Sequence, residues 1–386
     1  MTAGALRVLH LGFEDPTRPG AGGGSRRTHE VNRRLAADGV DVTVLCAAYP
    51  GARAHRSDGV LYRPLGRRVL GRRTLGREVH PFLAQLGYFA IVVATLWWQV
   101  RRYSPDVVVE DFAAPFSSVA VPRLTRVPVV GVVQWLFAAQ KARQYHLPFH
   151  RVESYGLASH RHLVAVSHDL AAELRERNPR AEVTAVPNGV EPREEPGPEV
   201  LPRPARTQVV FLGRLEIEQK GLDLLLHAYS RVADRVEADL WLAGDGPDAD
   251  RVRDLARHRG VADRVHLLGS ITGARRFDLL AEARLVVVPS RYETFGMVAA
   301  EALSVGSPVL AFDIPCLAEL VTPAVGRVVP EGDVAAYADA LAALAGDPTT
   351  CRELGEAGAA SVAHLDWDRI AAAQLAVYRA AAGAAA

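Results

Sequence analysis

Apolar residues along this chain fall in short continuous runs, separated by stretches in which they recur every third or fourth position. The first run, LRVLHLGF (6–13), is followed by the loop EDPTRPGAGGGS and then by RRTHEVNRRLAADG, where apolar positions take helical spacing. DVTVLCAAYP (41–50) supplies the next strand. The opening therefore reads strand, glycine loop, helix, strand: a βαβ unit with a right-handed crossover and a parallel sheet. The rhythm continues through PDVVVED (105–111), VPVVGVVQW (127–135), HLVAVS (162–167) with the helix DLAAELRER, and AEVTAVPNGV (181–190). That predicts a doubly wound α/β domain over residues 1–192.

Residues 193–205 sit in a stretch dense in proline and charge, EPREEPGPEVLPRPART, the composition of a linker. Beyond it the alternation starts again. TQVVFLGR, ADLWLAGDG, RVHLLGS, ARLVVVPS and SPVLAFD read as strands with helical patterns between them, predicting a second domain of the same kind over 206–366. The stretch Val79 to Val100 contains no charged residue and is long enough to span a bilayer. Topology opposes that, because strands on either side of it belong to one sheet and a single crossing would separate them. A core or interfacial helix is expected. Arg63, Arg67, Arg68, Arg72, Arg73 and Arg77 precede it and Trp97 and Trp98 close it, which fits peripheral contact with an anionic membrane; an ordinary core helix beside a solvated basic loop is the competing reading.

A length of 386 residues with 49% hydrophobic and 23% charged residues exceeds one ordinary core and excludes a disordered chain or a small disulfide scaffold. Cys46, Cys316 and Cys351 are an odd number at wide spacing, so neither a disulfide framework nor a zinc ribbon is encoded. The N-terminus lacks a long apolar signal region, and a cytoplasmic protein is expected. Net charge is only +1, yet residues 1–190 hold 25 Lys and Arg against 15 Asp and Glu, and the remainder 20 against 29. The first half is the better candidate for meeting an anion. Of 45 basic residues only Lys141 and Lys220 are lysine, which makes a lysine at a special place informative.

Such a place is GRLEIEQKGLDLLL (213–226), where Arg214 directly follows a strand and Lys220 precedes a glycine and a helix. Two cations at the C-terminal end of a strand suit a diphosphate. In PSRYETFGMVAAEAL (289–303) a buried strand gives way to a loop with Glu293, and a helix opens near Phe295 and Gly296 and runs through Glu301. Free N–H groups and the positive helix end there make an anion site at the edge of a parallel sheet. Eight residues of helix would separate Glu293 and Glu301 by about 12 Å, beyond the ~5 to 9.5 Å of a glycosidase pair. They suit accepting hydroxyl hydrogen bonds on either side of a phosphate, one from a sugar and one from a ribose. GAGGGS (20–25) would let backbone approach an anion or sugar, but lacks the G-x-G-x-x-G spacing of dinucleotide enzymes. The D-x-D of GDGPDAD (244–250) suits a turn and a helix cap better than a metal. Glu110, Asp111 and Gln134 end strands of the first domain and are the acceptor-side candidates, with capping or solvation as the plainer reading.

Taken together, these segments resemble the retaining nucleotide-sugar glycosyltransferases of family 4, whose GT-B fold sets two Rossmann-like domains facing across a cleft. The likeness runs over nearly the whole chain: GGGSRRTHEVNRRLAADGVDVTVL, VPNGV, GRLEIEQKG, LAGDGPD, VHLLGS and PSRYETFGMVAAEAL with its E-x7-E. It implies that Glu293 contacts the donor sugar and Glu301 the ribose. Arg214 and Lys220 would hold the diphosphate, helped by the N–H groups of Phe295, Gly296 and Met297. Gly23 and Gly24 would lie beneath the reacting centre, Gly269 and Ile271 beside the nucleobase, and a final helix at about 367–384 would return to the first domain. Gln134 stands in VVQWLF where many members carry His and cannot serve as a proton acceptor, and the Arg214–Lys220 interval is one residue longer than the commonest spacing. The implied activity is hexosyl transfer from a UDP- or GDP-sugar to a hydroxyl of a small-molecule, natural-product or lipid acceptor. No metal, no further cofactor and no nucleic acid partner is expected. The alternatives are a sugar-phosphate isomerase or phosphorylase of the same fold and a non-catalytic peripheral membrane or carbohydrate-binding protein.

Overall fold

A computed structural model describes residues 5–16, 23–49, 51–65, 81–113, 121–136, 138, 146, 148–191 and 207–383. The linker 193–205 and Arg67, Arg68, Arg72, Arg73 and Arg77 lie outside them. The chain forms two compact units, Met1–Gly189 with Trp367–Ala386, and Val190–Asp366.

In the first unit, strands β1 (Arg7–Leu11), β2 (Asp41–Ala47), β3 (His55–Ser57), β4 (Val60–Leu65), β5 (Val107–Phe112), β6 (Val129–Val133), β7 (His162–Ala165) and β8 (Glu182–Ala185) form one sheet in the order β3-β4-β2-β1-β5-β6-β7-β8. All pairs are parallel except the β3–β4 hairpin. That hairpin turns at Asp58–Gly59, both at positive φ, a turn chemistry suited to a tight connection. The apolar strands are buried on both faces. Val8, Val42, Val44, Val107 and Val109 point into one core layer, and Leu9, Leu11, Leu45 and Val108 into the other.

Helices α1 (Gly23–Ala37), α2 (Pro81–Tyr103), α3 (Phe149–Ser159) and α4 (His168–Arg177) belong to this unit. Helix α1 begins at Gly23, so Gly23 and Gly24 occupy its first turn rather than the preceding loop. Glycine is a poor helix former, and polar anchors compensate just downstream: the Thr28 hydroxyl donates to Asp111 at 2.9 Å, and buried Arg27 donates to the Val186 carbonyl at 3.1 Å. Helix α2 packs Tyr88, Phe89, Val92 and Leu96 on the second core layer, and the Tyr88 hydroxyl meets the carbonyls of Gly12 and Leu45. Among the described residues no helix is long and apolar enough to cross a membrane.

The second unit has a six-stranded sheet of β9 (Gln208–Leu212), β10 (Leu240–Ala243), β11 (Val265–Gly269), β12 (Ala283–Val288), β13 (Val309–Phe312) and β14 (Gly326–Val329), in the order β11-β10-β9-β12-β13-β14. Its helices are α5 (Ile217–Lys220), α6 (Leu222–Ser230), α7 (Ala249–His258), α8 (Ala274–Glu282), α9 (Met297–Ser304), α10 (Pro315–Leu320), α11 (Val334–Gly346) and α12 (Pro348–Ser361). All its strand pairs are parallel, so the strand ends that carry the loops after β9, β10, β11 and β12 share one edge. The last helix, α13 (Trp367–Gly383), returns to the first unit, where Trp367, Ile370 and Tyr378 join the layer that holds α1. Arg27 also donates to Gln374 at 3.0 Å.

Candidate active site

The second unit gathers its chemistry at the C-terminal edge of the sheet. There, backbone segments approach so closely that only glycine fits. A Cβ on Gly244 would lie 1.8 Å from the Gly213 carbonyl oxygen, so the loops after β9 and β10 touch backbone to backbone. The Asp248 carboxylate accepts the Ile217 N–H at 2.9 Å, and that bond holds it below its usual range. Thus Asp248 of the D-x-D serves the first N–H of the short turn α5, a capping role, though on a neighbouring element.

Gly221 ends α5 in the left-handed region (φ +63), and a Cβ there would lie 2.0 Å from the Pro289 carbonyl oxygen. The chain is thereby pressed against the end of β12, which delivers Lys220 to Glu293. Lys220 Nζ donates to Glu293 Oε1 at 2.5 Å, and the Ser290 hydroxyl donates to the same oxygen at 2.9 Å. Side chains of both partners are mostly buried, 19% and 16% exposed, which strengthens the pair relative to one in water. Arg291 staples the two loops. Its N–H donates to the Gln219 carbonyl, and its guanidinium makes a two-pronged contact with Asp223 at 2.9 and 2.7 Å. Burial alone would raise the Asp223 carboxyl, but the Arg291 hydrogen bonds and charge outweigh it and hold the group low.

Beside this pair, Gly296 (φ +88) caps α9, and a Cβ on it would come within 2.4 Å of Leu317 Cδ2. The N–H groups of the first turn, starting at Met297, have no intrahelical acceptor and carry the positive helix end. Phe295 itself is buried, 5% exposed, and contributes packing as well as backbone. One and a half turns on, Glu301 is buried and meets Arg276 Nη2 at 2.9 Å; the same guanidinium nitrogen is 3.9 Å from Glu191. Gly269 (φ +71) ends β11, its carbonyl accepting from Gly244 N–H at 2.7 Å, and Ile271, half-buried, follows in the otherwise exposed loop to α8. The fold therefore brings Lys220, Glu293, Gly296 and Met297 together. Arg214, in the loop after β9 on the same sheet edge, is 64% exposed and 3.5 Å from Glu216. Ser290, Arg291, Asp223 and Arg276 escape the sequence reading: Arg291 and Asp223 are 68 positions apart, and no local pattern marks such a pair.

In the first unit, Glu110 departs from the expectation of a surface-lining carboxylate. Its side chain is 0% exposed and lies 3.1 Å from His160 Nε2, whose Nδ1 meets the Gly156 carbonyl at 2.9 Å. Strand alternation turns it into the interior, where a carboxylate requires a partner. Asp111, next along β5, is partly exposed and joins Thr28 to His10, whose Nε2 is 3.1 Å away. Gln134 follows β6 and is half-buried. Gly23 and Gly24 open α1.

Two family models match the chain: "Glycosyltransferase Family 4" over residues 21–194 and "Glycosyl transferases group 1" over 206–347. The glycogen synthase of Mycobacterium tuberculosis (strain H37Rv) is 28% identical over 97% of this chain and 95% of its own length. The phosphatidyl-myo-inositol mannosyltransferase of Mycobacterium leprae is 32% identical over 56% of this chain and 58% of its own. Among solved structures, sucrose-phosphate synthase of Thermosynechococcus elongatus superposes with a TM-score of 0.79 at 21% identity, covering 97% of this chain and 98% of that one. Anabaena HepE in complex with UDP-glucose does so with a TM-score of 0.69 at 17% identity, over 96% and 99%. With a family model on each unit and the same architecture across both, the chain belongs to the family 4 glycosyltransferases and is a glycosyltransferase with the GT-B fold.

Proposed function

We propose that this glycosyltransferase moves a hexose, with retention, from a UDP- or GDP-sugar to a hydroxyl of a small-molecule, natural-product or lipid acceptor, and does so without a metal ion. The second unit takes the nucleotide sugar and the first the acceptor. The observation that carries the reading is the Lys220–Glu293 pair set beside the amide-bearing start of α9.

As the bond from the anomeric carbon to the bridging oxygen breaks, its electron pair stays on the diphosphate. Charge grows where Lys220, Arg214 and the N–H groups at Phe295, Gly296 and Met297 would lie, and fixed donors aimed at developing charge lower the barrier. Lys220 has three donors, so one can keep Glu293 while others meet phosphate oxygen. Glu293 accepts from donor-sugar hydroxyls and Glu301 from the ribose. Gly269 and Ile271 border the base, and Gly23 and Gly24 give the reacting centre close backbone. The acceptor oxygen forms the new bond on the face the diphosphate leaves, and its proton passes to the departing phosphate oxygen. The products are the glycoside and the nucleoside diphosphate. Asp111 and Gln134 are the acceptor-side candidates that remain once Glu110 is committed to His160. The positive charge of two side chains and a helix start does the work a divalent cation would otherwise do. Cys46, Cys316 and Cys351 are buried free thiols, which suits a reducing, cytoplasmic setting.

Relatives support the donor class: HepE is solved with UDP-glucose. A thermal-shift panel of UDP-, GDP- and ADP-sugars with and without EDTA tests donor and metal together. Stabilisation by one nucleotide sugar that survives EDTA is the expected result; its abolition by EDTA would refute metal independence.

A further inference from the structure

Helix α2 turns toward solvent a stripe whose composition belongs to an interface. Val93, Ala94, Trp97, Trp98, Arg101 and Arg102 are exposed and fall at helical spacing on one face. Val93 is 39%, Trp97 59% and Trp98 45% exposed. The helix has already buried its other face against the sheet through Tyr88, Phe89, Val92 and Leu96, so packing of the unit does not explain the tryptophans. A solvent-facing stripe is ordinarily polar. Here polarity enters only at the end, where Arg101 lies 5.3 Å from the Trp97 ring and Arg102 5.1 Å from the Trp98 ring. The helix contains no Asp or Glu.

We propose that this face of α2 docks the protein on the surface of an anionic lipid bilayer. The inference goes beyond the glycosyl-transfer reading and uses none of its residues. Tryptophan rings sit favourably at headgroup depth, Val93 and Ala94 add a shallow apolar contact, and the guanidiniums meet lipid phosphates. A second copy of the stripe is the poorer occupant, because it brings no carboxylate to four guanidiniums, whereas phosphate headgroups complement them. One stripe buries little area, so attachment is reversible and weakens with salt.

The test is co-sedimentation of the full chain with phosphatidylcholine vesicles, with and without phosphatidylglycerol. Retention by the anionic vesicles, reversed by salt, is expected. Arg101→Gln with Arg102→Gln lowers the partition coefficient by about thirtyfold, near fivefold for each arginine. Trp97→Ala with Trp98→Ala lowers it by about tenfold or more. Both double variants keep the melting temperature and the nucleotide-induced thermal shift of the parent, since these side chains are exposed. The proposal is overturned if anionic vesicles fail to retain the parent chain, or if both variants are retained equally well. It is also overturned if the tryptophan variant abolishes a concentration-dependent dimer while leaving vesicle retention unchanged.

Discussion

Lys220 and Gly221 show how much of the site rests on single residues. Lys220→Ala removes a donor from developing charge without disturbing the core, and transfer falls by about 10² to 10³-fold, read as nucleoside diphosphate release under saturating donor. Gly221→Ala leaves every charged group in place, yet it puts a Cβ against the Pro289 carbonyl and forces a non-glycine residue to φ +63. It is expected to lose transfer nearly as fully as Lys220→Ala, because the backbone that aims the lysine must move. Unaltered turnover in Gly221→Ala would show that the close approach of the two loops is immaterial. The scarcity of lysine made Lys220 legible in the sequence, and Glu293 was legible from the loop between strand and helix. Their 2.5 Å contact, across 73 positions, was not, since it depends on the approach of Gly221 to Pro289.

At the scale of elements, long apolar runs announce the strands because both faces of each sheet are covered. The β3–β4 hairpin and β14 go unread. The first is a three-residue strand against a half-buried one, and GRVV alternates too briefly to separate from a loop. The start of α1 is also earlier than glycine propensity suggests, because Thr28 and Arg27 within the helix anchor it to Asp111 and the Val186 carbonyl, far along the chain. The loops of the site are tied by ion pairs, and that makes them sensitive to acid. Asp223 is held below its ordinary 3.8 by Arg291 against the effect of burial, and at the opposite, N-terminal edge of the sheet Asp239 is likewise held low by His266 and Arg264. Carboxyls depressed in the folded state give stability that is fully present above the unfolded value and is lost as pH falls through the folded one. Urea midpoints are therefore expected to be level near neutrality and to drop below about pH 4. Asp223→Asn should lower the neutral midpoint and flatten that acid limb; an unchanged limb would remove the Arg291 staple from the account.

For the molecule as a whole, the chain leaves the first unit at Gly189 and comes back at Trp367, and a Cβ on Gly189 would lie 2.3 Å from the Trp367 ring. Helix α13 is therefore part of the first unit's core, although 177 residues of the second unit intervene. Trp367→Ala empties a site that is 3% exposed and is expected to destabilise by about 3 to 5 kcal/mol, measured by chemical denaturation. Deletion of residues 367–386 should leave the first unit unable to fold, seen as dye binding to exposed apolar surface.

The central claim is that the second unit grips a diphosphate between Lys220 and the start of α9. A crystal structure of the chain with the nucleoside diphosphate measures this directly. Phosphate oxygen within hydrogen-bond reach of Lys220 Nζ and of the Gly296 and Met297 N–H groups is the result the account requires; a diphosphate bound away from both would contradict it.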